Sequence, residues 1–545
     1  MRSGRLVLLT FLSLAAAGLS FPSDALELVR EMPIQHNGRL KPFDTFAREN
    51  LRVITGSARL GSEDPVATVL SVIAEPERWQ DQPLVSVPFV PLREKLGMGR
   101  TQKRISYNQL VETRRLMRML PAIVEKQNRE EKLSMLEQET MDAFERFVAL
   151  SNLLTRKLEL VPSPPGEDAS WVSILEPTGY PQDQRLVFQN HWAAFVDALR
   201  GNRPEAIGES ARALVSVLKE ANPAAYPAPW RLRLEVFYNR LSPFKWSQIL
   251  YLFVAGGLFL AMVSKRKLQM FGMAALWIGF LVHGTGIGMR VIVGNRPPVS
   301  NFYETMLWLP FVAVGISLIF ERIYRAGYFG LASSVLAMIV LPLADILPLE
   351  SHISPVVAVL RSNLWLTIHV LTVVASYGAL SLAVGLAHLY GGLVLVRGNR
   401  HPALDSLGTF LYRAIQVGVV LLAAGIMLGA VWANASWGRY WGWDPKETWA
   451  LITLLWFLAV LHGRFAGWLN GVSVALATIG GFFLLLMTYY GVSFYLVGLH
   501  SYAGGHAKPL PPLLIVYFVA EILFMLLVGL AAARRCQTPS QLSKS

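Results

Sequence analysis

WSQILYLFVAGGLFLAMVSKRK, residues 246–267, decides the fold. Its apolar run is close to the roughly 20 residues that an α-helix needs to cross a hydrocarbon core. It stops at Lys265, Arg266 and Lys267. Short loops on the cytoplasmic side of a membrane gather Lys and Arg, so this stretch reads as a helix crossing inward. The same pattern of apolar run and basic stop continues to the end of the chain.

Working outward, Phe271–Val293 returns, Met306–Phe320 goes in before Arg322 and Arg325, and Tyr328–Leu347 comes out. Trp365–Val396 goes in and reaches Arg397 and Arg400, and Leu411–Val431 comes out. Trp449–His462 goes in to Arg464, Val472–Tyr490 comes out, and Leu513–Leu530 goes in before Arg534 and Arg535. The expected fold is mainly α, a polytopic α-helical membrane bundle with an N-terminal helical exported domain. The loops 294–305, 348–364, 432–448 and 491–512 then share the outer side.

Composition agrees. Hydrophobic residues make up 53% of the chain and charged residues 16%, where a soluble domain carries about a quarter charged. The net charge of +13 reads as membrane topology, and no nucleic-acid partner is expected. The bilayer is the partner that the spans require. One cysteine, Cys536, cannot make an internal disulfide or a CxxC pair, so any thiol chemistry belongs to another molecule.

Residues 1–21 have a basic start, a short apolar run and small residues, the pattern of a cleaved signal peptide or a signal anchor. Residues 22–245 form the expected extracytoplasmic domain. Leu133, Leu136, Phe144, Phe147 and Leu154 recur at helical spacing, as do Ile207, Ala211, Leu214 and Leu218. Pro121 and the stretch 163–168 read as breaks. Pro33 and Pro42 bracket a basic turn that leads into an amphipathic helix. Residues 246–535 make the membrane domain and 536–545 a cytoplasmic tail.

The outer loop WANASWGRYWGWDPKETW brings Trp432, Trp437, Trp441, Trp443 and Trp449 together with Tyr440, Gly438 and Gly442. An aromatic belt would spread tryptophans over many helix ends. Five in one loop, with glycines that allow close backbone approach, suit a large planar ligand. Asp444, Pro445 and Glu447 read as an N-cap, a first helical proline and a capping-box glutamate, a poor arrangement for acid–base catalysis.

WGRYWGWDPKETW resembles the WWD signature of the haem-handling proteins of cytochrome c biogenesis, and most of all the CcsA (ResC-like) component of the system II cytochrome c synthetase. The resemblance runs over roughly residues 230 to 535. It includes LEVFYNRLSPFKWSQILYL, GNRPPVSNFYET and WLTIHVLTVVASYGAL. MPIQHNGRLKPFDTFAREN is similar to a segment preceding the CcsA core in long or fused CcsBA-type proteins.

Histidine is rare within a membrane span and is a usual axial ligand of haem iron. His369 near the outer end of its span and His500 in an outer loop flank the tryptophans. The resemblance implies that they are axial ligands, with Trp437, Trp441, Trp443 and Asp444 at the haem. It implies a membrane-embedded ligand at His462, which by itself also reads as a helix-terminal histidine facing carbonyls. The second ligand there is expected from a CcsB/ResB-like part not recognisable in this chain, with His283 as the alternative. His388, His401, His352, His506, His36 and His191 read as ordinary polar surface groups.

The implied function is haem b delivery across the cell inner (cytoplasmic) membrane and its covalent attachment to the CxxCH motif of an apocytochrome c. The implied enzyme is a haem lyase, or synthetase, acting with a CcsB/ResB-like membrane protein. Two alternatives stay open: a haem exporter or chaperone without attachment, and a membrane b-type electron-transfer cytochrome.

Overall fold

The computed structural model describes residues 21–129, 131–166, 170–263, 266–347, 349, 351–355, 363–500 and 511–534. Residues 1–20 of the expected signal segment 1–21, His506, Cys536, the rest of the expected tail 536–545 and parts of the 264–267, 348–364 and 491–512 stretches lie outside them. The chain divides into two compact units, 1–239 and 240–545.

The first unit is a helical domain with two small two-stranded antiparallel sheets. Pro33–His36 pairs with Arg39–Pro42, and the turn between them uses positive φ at Asn37 and Gly38, the geometry that Asn-Gly supplies most readily. The amphipathic helix Phe43–Thr55 follows directly. Its Phe43, Phe46, Leu51 and Ile54 enter one core with Leu150, Phe195, Ile207 and Leu214.

Charge is also buried in this unit. Asp44 accepts from Arg30 Nη1 at 2.9 Å and Arg48 Nε at 2.7 Å. Arg39 donates twice to Glu235, at 2.8 and 2.6 Å, and Lys41 donates to Glu49 at 2.6 Å. Buried charges persist only when paired in this way, so the polar residues of the RLKPFDTFARE stretch hold the hairpin against the helix. Pro121 is not a break. It lies inside the helix Arg115–Asn128, which is mostly exposed and loses one backbone bond there.

The second unit is built of membrane-length helices. Among the described residues nine helices are long and apolar enough to cross a membrane, so the chain is a multi-pass membrane protein. The helix Asn363–Arg397 is central, with 67% of an 18-residue apolar stretch buried, whereas Pro512–Arg534 is peripheral, with 11% of such a stretch buried. The central helix packs most closely on Ala403–Trp437. A Cβ at Gly418 would meet Leu380, one at Gly425 would meet Val373, and one at Gly429 would meet His369. Such a small-residue stripe lets two helices approach with their backbones close.

The helix Ala403–Trp437 runs further than the sequence pattern suggests. It passes the expected end at Val431 and stops at Gly438, which caps it at φ +71°. Trp432 and Trp437 are therefore helical, and the loop proper is 438–444. The polar WANAS stretch is a fair helix former, and left-handed Gly438 supplies the stop.

Candidate functional site

The helix Pro445–Phe465 starts in a complete capping box. Asp444 accepts from Lys446 N at 3.0 Å, and Glu447 Oε2 accepts from Asp444 N at 3.2 Å and from Gly442 N at 2.9 Å. Such a cap is worth about 1 kcal/mol, and here it also folds the tryptophan loop back on the helix. Trp443 takes φ +56°, an uncommon conformation for a bulky residue, and the residue is 69% exposed. Trp441 meets it edge-on at 5.7 Å.

Asp444 does more than cap. Its Oδ1 accepts from Leu499 N at 2.7 Å, and its Oδ2 accepts from His500 Nδ1 at 2.9 Å. A Cβ on Gly498 would come within 2.6 Å of Asp444 Oδ1, so only glycine lets this segment close on the carboxylate. Burial raises the Asp444 carboxyl, but the hydrogen bonds from His500, Leu499 N and Lys446 N hold it below its ordinary value.

His369 is oriented by a different device. Its Nδ1 lies 2.9 Å from the carbonyl oxygen of Gly425, which the small-residue stripe brings within reach. A carbonyl and an ionised carboxylate only accept, so Nδ1 carries the proton in both histidines. Each ring thereby presents Nε2 as its lone pair. Metal-binding histidines are generally set in this way, with the second nitrogen donating to a carbonyl or carboxylate.

Aromatic rings fill the space around the two histidines. Trp432 lies 6.1 Å from His369, 12° from parallel, and 6.3 Å from His500. Trp437 stands edge-on to Trp432 at 4.8 Å and to His500 at 6.1 Å. Lys446 N and the His500 ring share Asp444 Oδ2, at 3.0 and 2.9 Å. The structure thus brings together His369, His500, Asp444 and Trp437, and adds Trp432 and Lys446. Trp441 and Trp443 occupy the neighbouring loop.

His462 and His283 lie elsewhere, and among the described residues no ring contact joins them. His462 is exposed on the helix Pro445–Phe465, and its Nδ1 donates to Leu458 O at 2.7 Å, so its Nε2 is directed away from its own helix. His283 is 0% exposed, enclosed by Phe244, Tyr251 and Phe311. Among the described residues no group of three or more His, Cys, Asp or Glu side chains could hold a bare metal ion.

His388 is half-buried and engaged, where the sequence reading had an ordinary polar surface group. Its Nδ1 is 2.8 Å from Val384 O, its Nε2 is 2.9 Å from Glu521, and its ring stacks on Phe524 at 5.1 Å. The sequence also gave no weight to Lys446 or to the π-turn Met487–Gly491. Lys446 Nζ donates to Ser493 Oγ at 2.8 Å and to Tyr489 O at 3.4 Å, tying the cap to that turn. A lysine in the first turn of a helix opposes the dipole, and that misplaced charge was the available signal.

Residues 299–500 match the family described as Cytochrome C assembly protein, a stretch that contains His369, the tryptophan loop and His500. The chain is 30% identical to Protein NrfI of Wolinella succinogenes over 499 residues, covering 87% of this chain and 54% of that protein. It thus spans about half of that relative's length. It is 35% identical to the cytochrome c biogenesis protein CcsA of Mesostigma viride, over 43% of this chain and 87% of that one. With the CcsA of Gloeothece citriformis it shares 33% identity, over 44% of this chain and 90% of that one. Nine membrane-length helices among the described residues, a capped tryptophan loop and 33–35% identity over 87–90% of two CcsA proteins lead to one conclusion: the chain belongs to the CcsA family of cytochrome c biogenesis proteins.

Proposed function

We propose that this chain receives haem b and presents it at the outer face of the cell inner membrane for covalent attachment to the CxxCH segment of an apocytochrome c. The observation that carries this reading is the setting of His369 and His500. Both have Nδ1 tied to an acceptor, both offer Nε2, and Trp432 and Trp437 lie beside them. Two such nitrogens suit the two axial positions of haem iron.

In this reading each residue has a limited task. His369 and His500 hold the iron, Asp444 and the Gly425 carbonyl fix their tautomers, and the tryptophans cover the macrocycle. Haem supplies the vinyl groups and the apocytochrome supplies the thiols. Each thiol adds across one vinyl double bond, sulfur to one carbon and hydrogen to the other, with no net redox change. The chain contributes position, which turns an encounter into a local reaction.

His462 serves an earlier site within the membrane. Its outward Nε2 suits an axial partner supplied by a CcsB/ResB-like chain, and the enclosure of His283 favours that source over His283. Residues 22–245 are the extracytoplasmic domain of this arrangement and 246–535 its haem-handling membrane domain.

Co-expression with an apocytochrome c and a CcsB/ResB-like chain tests the proposal, with covalent holocytochrome and the haem spectrum of the purified protein as readouts. Bound haem with holocytochrome formation supports attachment. Bound haem without it leaves an exporter or chaperone. Absence of haem from the protein in haem-replete cells contradicts all these readings.

A further inference from the structure

Trp432 is 5% exposed, and its indole Nε1–H has no hydrogen-bond acceptor among the described residues. A buried indole N–H normally finds one. This one lies in the ring cluster that includes His369 and His500, so it borders the space assigned above to haem. The unmet donor points to an acceptor on the ligand.

Lys446 adds the second half. Its ammonium donates to Ser493 Oγ and Tyr489 O, and its backbone N shares Asp444 Oδ2 with the His500 ring, at 3.0 and 2.9 Å. It sits in the first turn of the helix Pro445–Phe465, where the dipole is also positive. Asp444 in the same turn is engaged by Leu499, Lys446 N and His500. The site therefore combines a waiting N–H donor with positive potential, the chemistry that receives a carboxylate.

Haem carries two carboxylate tails on one edge and its vinyl groups away from them. A carboxylate needs donors and positive potential, whereas a vinyl group needs neither. We propose that Trp432 and Lys446 receive the haem carboxylates at the outer site, turning the carboxylate edge toward the bundle and leaving the vinyl edge for the apocytochrome thiols. This rests on the haem reading of the same site and deepens it. Both residues are binding groups that orient the substrate.

The test compares haem b with its dimethyl ester, which keeps the macrocycle and vinyl groups but lacks the carboxylate charges. The full chain carrying His462→Ala, so that the inner site is removed, is titrated with each compound and followed by the Soret band. Haem b is expected to bind about tenfold or more tighter than the ester, the factor expected from a charge-assisted hydrogen bond. Trp432→Phe, which keeps the ring face, and Lys446→Met, which keeps the stem, each lower that ratio. The double variant brings it near unity, while Lys446→Arg retains it. Equal binding of the two compounds by the parent overturns the proposal, as does an unchanged ratio in the double variant, including an equal loss of both ligands. Failure of the parent to bind either compound overturns the haem reading itself, a distinguishable result.

Discussion

Asp444 offers the sharpest separation of a structural from a ligand-orienting role. Its carboxylate accepts from Lys446 N, Leu499 N and the His500 ring. Asp444→Ala removes all three acceptor contacts. The lost cap costs about 1 kcal/mol. The ring and the Leu499 amide each lose a bond to a charged acceptor, worth roughly 1.5–3 kcal/mol before water replaces part of it. Loss of the group that orients a metal-binding histidine generally costs about 10–100-fold in affinity, and that is the expected fall in outer-site haem binding. Asp444→Asn keeps one acceptor oxygen, enough for the cap and the His500 ring, but loses the charge and turns an NH2 toward Leu499 N, so it should cost at least about fivefold, near 1 kcal/mol, and less than Asp444→Ala.

Glu447→Ala is the control. It strips the bonds to Gly442 N and Asp444 N but leaves the bond between His500 and Asp444 in place. It should lower thermal stability by about 1 kcal/mol and change haem affinity less than Asp444→Ala does. The assay is haem titration of the purified protein, with His462 replaced, read as affinity and as the low-spin fraction. If Asp444→Ala binds haem as tightly as the parent with an unchanged spectrum, the orienting role assigned to this carboxylate is wrong.

The remaining predictions are narrower. Gly429→Val places a side chain where even a Cβ would lie 2.6 Å from His369 Cε1; it should displace that ring and reduce the low-spin haem spectrum, and an unaltered spectrum would show that the ring has room to spare. His388→Leu or Glu521→Leu strands one partner of a pair within the membrane unit and should each cost about 3 kcal/mol, with the double Leu variant recovering much of it in a thermal unfolding assay; equal or additive losses would contradict the pairing. Because the Asp444 carboxyl is held below its ordinary value, its contribution is fully present above the unfolded aspartate range, near pH 4, and is lost only as pH falls through the lowered native value. Closure of the 498–500 segment, followed by amide exchange at Leu499, should therefore persist to more acidic pH than an ordinary aspartate allows, and opening already at pH 5 or above would contradict it.

The membrane spans were legible because a bilayer fixes both their length and their basic stops. The capping box was legible because its four residues lie next to one another. What could not be read depended on distant partners. Nothing near His388 announces Glu521, and nothing near His369 announces the Gly425 carbonyl. The end of the helix Ala403–Trp437 was misplaced because hydropathy falls at Trp432 while helical bonding continues to Gly438. Trp432 was visible as one tryptophan among five, and only packing distinguishes its buried, unpartnered N–H from the exposed ring of Trp443.

The central claim is that His369 and His500 are the axial pair for an outer haem. The most direct measurement is the absorption and resonance Raman spectrum of the purified chain carrying His462→Ala, alone and combined with His369→Ala or His500→Ala. The account predicts six-coordinate low-spin haem in the first protein. It predicts loss of that signature with either further change, and its return on adding imidazole. A low-spin spectrum that survives removal of both histidines would contradict the account.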